Sequence, residues 1–71
     1  MPGSVYKLID LIGTSATSWE EAAKNAVELA GETLDDLRVA EVTELDMKIE
    51  NDKVVAYRAK VRLSFKYHSD M

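Results

Sequence analysis

The feature that most constrains this chain is a regular alternation of apolar and polar side chains between Lys53 and Tyr67. Successive side chains of a β-strand point to opposite faces, so this pattern predicts a strand with one apolar and one charged face. The apolar set is Val55, Tyr57, Ala59, Val61, Leu63, Phe65 and Tyr67. The charged set is Arg58, Lys60, Arg62 and Lys66. We expect the apolar face to form a core beneath a helix.

A second long strand, from about Leu37 to Glu50, is predicted to pair with this one through the turn Asn51-Asp52, two residues that tolerate positive φ. If Glu50 pairs with Lys53, partner numbers sum to 103. The expected pairs are then Glu41 with Arg62, Thr43 with Lys60 and Leu45 with Arg58. The same register leaves three hydrophobic residues on the face away from the helix: Val39, Met47 and Ile49. Apolar residues mixed with charge on an open face indicate a subunit interface or a ligand site.

The N-terminal part predicts one more strand and one helix. Residues Val5 to Ile12 form a β-rich run that ends at Gly13, and both of its faces are apolar, which predicts a strand covered on both sides. In so short a chain the second cover is expected from another subunit. We interpret Thr14 and Ser15 as the turn that leads to the helix.

The helix is expected to begin at Trp19, because Ser18 and Glu21 match a capping box. Its apolar stripe has the i, i+3, i+4 spacing of a helix packed on a sheet. The stripe comprises Trp19, Ala22, Ala23, Ala26, Val27, Ala30 and Leu34. Trp19 is therefore interpreted as a packing residue rather than as a ligand-stacking platform.

The size of the chain favours self-association. Residues 1–71 are predicted to form a single α+β domain, and a domain this small buries only about 60% of its unfolded surface. The chain contains no cysteine, so disulfides and zinc-thiolate sites are excluded, which leaves oligomerisation or a metal held by oxygen ligands. We predict a cytoplasmic protein without a signal or membrane span. A net charge of -4 argues against nucleic-acid binding.

The runs VYKLIDLIGTSATSWEEAAKNAVELAGETLDDLRVAEV and YRAKVRLSFK resemble the dodecin family over essentially the whole chain. The resemblance implies a β-α-β-β subunit, with a three-stranded antiparallel sheet and one helix on one face, that assembles into a hollow homododecamer. Flavin-binding dodecins stack flavin on a tryptophan and bond its ring edge through a glutamine. Those positions correspond here to Val39 and Arg58. Valine offers no aromatic face for stacking, so typical flavin storage is not expected.

A dodecin subgroup described as calcium-binding is more similar, because it shares the I-G-T-S-x-T-S-W-E run and the arginine in the glutamine position. This resemblance makes calcium or magnesium the sharpest ligand hypothesis. Glu44 and Asp46, two apart on the second strand, project from one face and carry the oxygen ligands these ions need. Calcium takes six to eight oxygens, so symmetry-related chains or water would complete the shell. The alternative is that both acids are solvated or paired with lysines.

Arg58, Lys60 and Arg62 form a second candidate site, an anion-binding strip that lies with Val39 in the altered flavin pocket. A phosphorylated molecule such as coenzyme A would suit such a strip. Alternatively, the three cations pair with acids such as Glu41. The only histidine, His68, lies near the C-terminus and cannot build a metal cluster or a catalytic dyad within one chain.

Three functions therefore compete. The leading one is a non-catalytic homo-oligomeric cage that binds a small ligand or a divalent cation at subunit interfaces. The alternatives are residual flavin binding or a purely structural assembly without a ligand. An enzyme ranks last, because the sequence contains no nucleophile-base pair or cofactor fingerprint.

Overall fold

A computed structural model describes residues 3–67, with strands β1 (Tyr6–Ser15), β2 (Leu37–Glu50) and β3 (Lys53–Lys66) and a helix α1 (Trp19–Gly31). The sheet is antiparallel with strand order β1-β3-β2, and α1 packs on one face of it. The predicted α+β, β-α-β-β fold is confirmed. The prediction that the first strand ends at Gly13 is wrong, because Gly13, Thr14 and Ser15 continue the ladder opposite β3.

The helix begins as predicted. Ser18 is extended, with φ -163°, and its hydroxyl accepts a hydrogen bond from the backbone amide of Glu21 at 3.0 Å. The Glu21 carboxylate accepts from the hydroxyls of Ser15 and Thr17. Ser15 is buried and its Oγ in turn accepts from the Thr17 amide, so this polar cluster joins the end of β1 to the first turn of α1.

The core is small and lies between α1 and the two strands it covers. Its buried members are Ala22, Ala26, Ala30, Ala59, Val61 and Leu63. Gly13 permits the close approach of β1 to α1, because a β-carbon there would overlap the carbonyl oxygen of Ala22. The predicted core face of β3 is buried only in its middle, since Val55 and Tyr67 at its ends are exposed.

The β2–β3 turn is confirmed: Asn51 and Asp52 have φ values of 52° and 62°. Two positive φ angles in a two-residue loop match a type I′ hairpin turn, which follows the twist of the flanking strands.

The predicted register of this hairpin is partly wrong. Glu41 does lie opposite Arg62, but Thr43 is an extra residue on β2, so Lys60 faces Glu44 and Arg58 faces Asp46. An extra residue on β3 at Val55 restores the original register near the turn. A β-bulge of this kind shifts all subsequent pairs by one residue, and a one-residue shift moves side chains to the other face.

Because of the bulge at Thr43, three further residues lie on the opposite face of the sheet from the one predicted. Leu45 pairs with Ala59 and Met47 with Tyr57, so both residues lie on the helix side of the sheet. Ile49 follows Met47 by two residues and shares its face. Of the three hydrophobic residues predicted on the opposite face, only Val39 remains there, opposite Ser64.

Strand β2 extends beyond the cover of the helix. α1 packs mainly on β1 and β3, and β2 is exposed from Arg38 to Glu50. Val42 and Leu45 point to the helix side, yet they remain 48% and 52% exposed. Within residues 3–67, the apolar strip of β2 formed by Val42 and Leu45 is therefore only about half covered.

Candidate functional site

The face of the sheet away from α1 carries a compact group of ionisable residues, which we call the charged face. Its members are Asp10, Glu41, Glu44, Asp46, Arg58, Lys60 and Arg62. Strand pairing arranges them in three rows across β1, β3 and β2. The rows are Asp10–Arg62–Glu41, Ile12–Lys60–Glu44 and Thr14–Arg58–Asp46. Each row thus has a cation in the middle strand and an acid on β2.

Arg58 and Asp46 form the most regular ion pair on this face. The Nε and Nη2 atoms of Arg58 donate to the two carboxylate oxygens of Asp46 at 2.7 and 2.8 Å. These hydrogen bonds hold the pKa of the Asp46 carboxyl below its ordinary value and raise the pKa of Arg58. Two parallel charge-assisted bonds fix the orientation of both side chains, although the pair is open to solvent.

Arg62 forms a similar pair with Asp10 on the other side of the sheet. Its Nε and Nη2 atoms donate to the carboxylate at 2.9 and 3.3 Å. The bonds lower the pKa of Asp10 and raise that of Arg62, with a smaller contribution to Arg62 from the charge of Glu41. Lys60 is held more loosely, with its Nζ 3.6 Å from a carboxylate oxygen of Glu44.

Residues of the two sites predicted separately from sequence are therefore in contact with each other. Glu44 and Asp46, predicted as metal ligands, are the partners of Lys60 and Arg58, predicted as an anion-binding strip. Of the alternatives open at the sequence level, these contacts favour ion pairing with acids. Only the bulge at Thr43 brings the four side chains together, and no glycine or proline marks that bulge in the sequence.

Val39 lies apart from Arg58 within one subunit. It pairs with Ser64, six residues along β3 from Arg58, a separation of about 20 Å at ~3.3 Å per residue. The nearest cation of the strip is Arg62, one row away. A single chain does not bring Val39 and Arg58 into one pocket.

Trp19 supports the charged face from behind. Its indole Nε1 donates to the backbone carbonyl of Asp46 at 3.0 Å, and its ring meets that of Tyr57 edge-on, with centroids 5.1 Å apart. The structural interpretation of Trp19 agrees with these contacts. Sequence reasoning missed its bond to Asp46 and the participation of Asp10, although Asp10 falls on the correct alternating face of the first strand.

The carboxylates of Glu44 and Asp46 are the type of ligand that a hard divalent cation prefers, but two residues provide too few oxygen ligands. Carboxylate oxygens are the preferred ligands of calcium, which needs six to eight oxygens. Among residues 3–67, no three His, Asp or Glu side chains are grouped so that they could hold a metal ion. Glu44 and Asp46 would thus need ligands from outside the chain, and both are already paired with cations. His68 lies outside the described residues.

An apolar hollow lies on the opposite side of β2, next to the start of the helix. It is lined by Trp19, Glu20, Ala23, Val42 and Leu45 and has a volume of about 300 Å³. Within residues 3–67, the helix is too short and too polar to cross a membrane.

The protein thus belongs to a class of small β-α-β-β subunits in which one face of the sheet is charged and exposed, and the helix leaves much of the long β2–β3 hairpin uncovered. A family model described as Dodecin matches residues 5–68. Calcium dodecin of Mycobacterium tuberculosis is 54% identical over 63 residues, 89% of each chain. The chain belongs to the dodecin family.

Solved structures agree with this assignment. The crystal structure of the calcium-chelating antigen calcium dodecin from Mycobacterium tuberculosis superposes with a TM-score of 0.83 at 50% identity, covering 96% of this chain and 97% of that one. Dodecin from Streptomyces coelicolor superposes with a TM-score of 0.90 at 30% identity, covering 99% and 100%.

Proposed function

We propose that this chain forms a non-catalytic, cytoplasmic dodecin-type homododecamer that binds a divalent cation, calcium above all, at its subunit interfaces. The observation that carries the proposal is the 54% identity to a calcium dodecin across 89% of both chains. Each subunit would be the single domain 1–71. Dodecins are non-enzymatic flavin- or calcium-binding proteins, which agrees with a ligand-binding role.

The surface of the subunit supports self-assembly. The isolated chain exposes 5501 Å², whereas a compact monomer of 7.9 kDa is expected to expose about 4,400 Å². The molecule is elongated, 56 Å long and 20 Å wide, and β2 is exposed from Arg38 to Glu50. Burying the apolar strip of β2 against other copies would remove it from water.

Glu44 and Asp46 are the proposed protein ligands. Their carboxylates lie in adjacent rows on the exposed strand β2, where a neighbouring copy or water can reach them. Bound calcium would supply a fixed positive charge that draws acidic groups of several chains together. This chain's part is to present the two carboxylates and to keep Lys60 and Arg58 close enough to neutralise them when calcium is absent.

A small anionic ligand at Val39, Arg58, Lys60 and Arg62 is the second candidate. The cluster of three cations favours it, while their ion pairs with Glu44, Asp46 and Asp10 weaken their attraction for an anion. Flavin finds no aromatic partner at Val39. A purely structural assembly remains the outcome if neither ligand binds.

Calcium titration of the purified oligomer tests the proposal. We expect calcium to raise the melting temperature of the wild type, because a ligand that binds the native state stabilises it. Glu44→Gln should weaken calcium binding about tenfold by isothermal titration calorimetry, since it removes one charged ligand. Glu28→Gln, which changes an exposed acid on the helix, should leave binding unchanged. Equal calcium affinity in the wild type and Glu44→Gln would contradict the assignment.

A further inference from the structure

We propose that the tip of the β2–β3 hairpin of one copy packs into an apolar groove between α1 and β1 of a second copy. The tip, which we call the arm, comprises residues 48–56, and the α1/β1 groove is lined chiefly by Ile9, Leu11, Leu29 and Leu34. The inference rests on the self-assembly in the proposed function and is independent of the ligand that the assembly binds. It names two surfaces that meet between copies.

The arm lies beyond the part of the sheet that the rest of the subunit supports. Among residues 3–67, the last pair between β1 and β3 is Ser15 with Tyr57, so residues 48–56 form a ribbon of two strands only. The helix begins at Trp19, whose ring contacts that of Tyr57 at the base of the arm. A two-stranded hairpin on its own is marginally stable in water, so the arm is expected to gain stability from a partner.

The arm presents aliphatic side chains on one face. Ile49 and Val54 are paired across the ribbon, so their side chains project from the same face, which is the helix side shared with Met47. Ile49 is 61% exposed and Val54 is 46% exposed. Removing aliphatic surface from water is favourable, so the partner of the arm should be an apolar surface.

The α1/β1 groove is an apolar surface of this kind. It has a volume of about 440 Å³ and lies between the second half of α1 and β1, an outer strand of the sheet. The described residues that line it include no charged side chain. Leu29 on α1 and Ile12 on β1 contribute to its lining and are 67% and 53% exposed. The groove therefore offers the aliphatic contacts that the arm needs.

One copy cannot fill its groove with its own arm. Ile49 pairs with Val54, whereas Ile9 pairs with Leu63, nine residues further along β3. At ~3.3 Å per residue, the arm and the groove are about 30 Å apart within a subunit. A contact between them therefore joins two copies. Because two different surfaces meet, each copy can place its arm on one neighbour and receive the arm of another, and such head-to-tail contacts close into a ring.

The exposed area of the subunit agrees with such a contact. The isolated chain exposes 5501 Å², about 1,100 Å² more than is expected of a compact monomer of 7.9 kDa. Each partner in a stable protein–protein interface buries about 800 Å². Two arms packed face to face would leave both grooves open to water, whereas an arm in a groove covers both kinds of apolar surface. The arm–groove contact is therefore favoured.

Disulfide trapping tests the contact, because the natural chain contains no cysteine. Ile49→Cys co-expressed with Leu29→Cys should give, after mild oxidation, a dimer linked between positions 49 and 29, since a disulfide requires Cα atoms within about 7 Å. Leu8→Cys is the matched control, because Leu8 is 56% exposed but lies opposite Ser64 on the charged face. Its co-expression with Ile49→Cys should give no mixed disulfide. Mass spectrometry of the linked peptides identifies the positions.

A pair of introduced charges provides a second test that does not depend on disulfide geometry. Ile49→Lys and Leu29→Asp should each give smaller assemblies by native mass spectrometry, because burial of an unpaired charge opposes association. The double variant should recover the mass of the wild type, since a cation on each arm then faces an acid in the groove of the next copy. Both positions are exposed, so the circular dichroism spectra of the single variants should match that of the wild type.

The outcomes separate this inference from the proposed function. A disulfide between positions 49 and 29, together with recovery by the double variant, is the expected result. A full assembly without that disulfide and without recovery would overturn the arm–groove contact and leave self-assembly intact. A symmetrical disulfide between two copies of Ile49→Cys in its place would assign the arm to another arm and also overturn the contact. A monomeric wild type would overturn both proposals.

Discussion

Three carboxylates of this subunit are stabilised in their charged form by specific hydrogen bonds. Asp10 and Asp46 are bonded to arginines across the sheet, and Glu21 accepts from the hydroxyls of Ser15 and Thr17. In each case these bonds lower the pKa of the carboxyl. The capping box predicted the helix start correctly, but it did not predict that Glu21 would bond to the hydroxyls of Ser15 and Thr17.

The lowered pKa values predict acid sensitivity. Below its folded-state pKa each carboxyl is protonated, and the stability gained from its charged form is lost. That gain is fully present above the ordinary values, 3.8 for aspartate and 4.5 for glutamate. We therefore expect the free energy of unfolding to be flat near neutral pH and to fall as the pH drops through and below this range. Urea denaturation at a series of pH values measures it.

Glu21→Gln provides the check on this prediction. The variant should be less stable than the wild type at pH 7 but lose less stability on acidification, because position 21 no longer titrates. Glu20→Gln, in the same helical turn, should retain the acid response of the wild type. An acid response in Glu21→Gln as steep as that of the wild type would remove Glu21 from the explanation.

At the scale of elements, local patterns predicted most of the fold. The alternation in the middle of β3, the spacing of alanines in α1 and the Asn-Asp turn each follow from backbone geometry, and all three are confirmed. The register failed in the middle of the hairpin because Thr43 is an ordinary strand residue whose extra position depends on tertiary packing. The acids and the cations were therefore predicted as two separate sites, since only the shifted register reveals the ion pairs between them.

The turn itself carries a stability prediction. Asp52 has φ 62°, a conformation that costs L-residues energy and that glycine adopts freely. Asp52→Gly should raise the free energy of unfolding by about 0.5 kcal/mol, because Asn-Gly is a preferred pair for this turn. Lys53→Gly, within β3, should lower it by a similar amount. Chemical denaturation at fixed protein concentration compares them, and a less stable Asp52→Gly would contradict the turn assignment.

At the scale of the whole molecule, the main feature is that the helix covers only part of the sheet. Sequence reasoning anticipated a subunit contact from apolar residues on the charged face. The structure leaves Val39 there and places Leu45, Met47 and Ile49 on the helix side, where Leu45 lines the hollow near Trp19. Both sides of β2 therefore offer exposed apolar residues for contact with other copies.

Two charge insertions test which side is used. Leu45→Asp and Val39→Asp each place a carboxylate on an exposed apolar position, and burial of an unpaired charge opposes association. We expect native mass spectrometry to show smaller assemblies for both variants, while Leu45→Met keeps the mass of the wild type. A variant that retains the full assembly and its melting temperature would exclude that side of β2 from the interface.

Two of the three register shifts in the hairpin have a consequence for which side chains can be changed independently. Thr43 on β2 and Val55 on β3 offset the register in opposite senses, so the pairs between them are shifted by one residue relative to the pairs next to the turn and to those of residues 39–42. Residues 44–48 of β2 thus form a separate stretch of the ladder, whose register differs by one residue from that of the pairs on either side. A substitution within this segment can therefore change the side chains of the charged face while the pairs next to the turn and those of residues 39–42 keep their register.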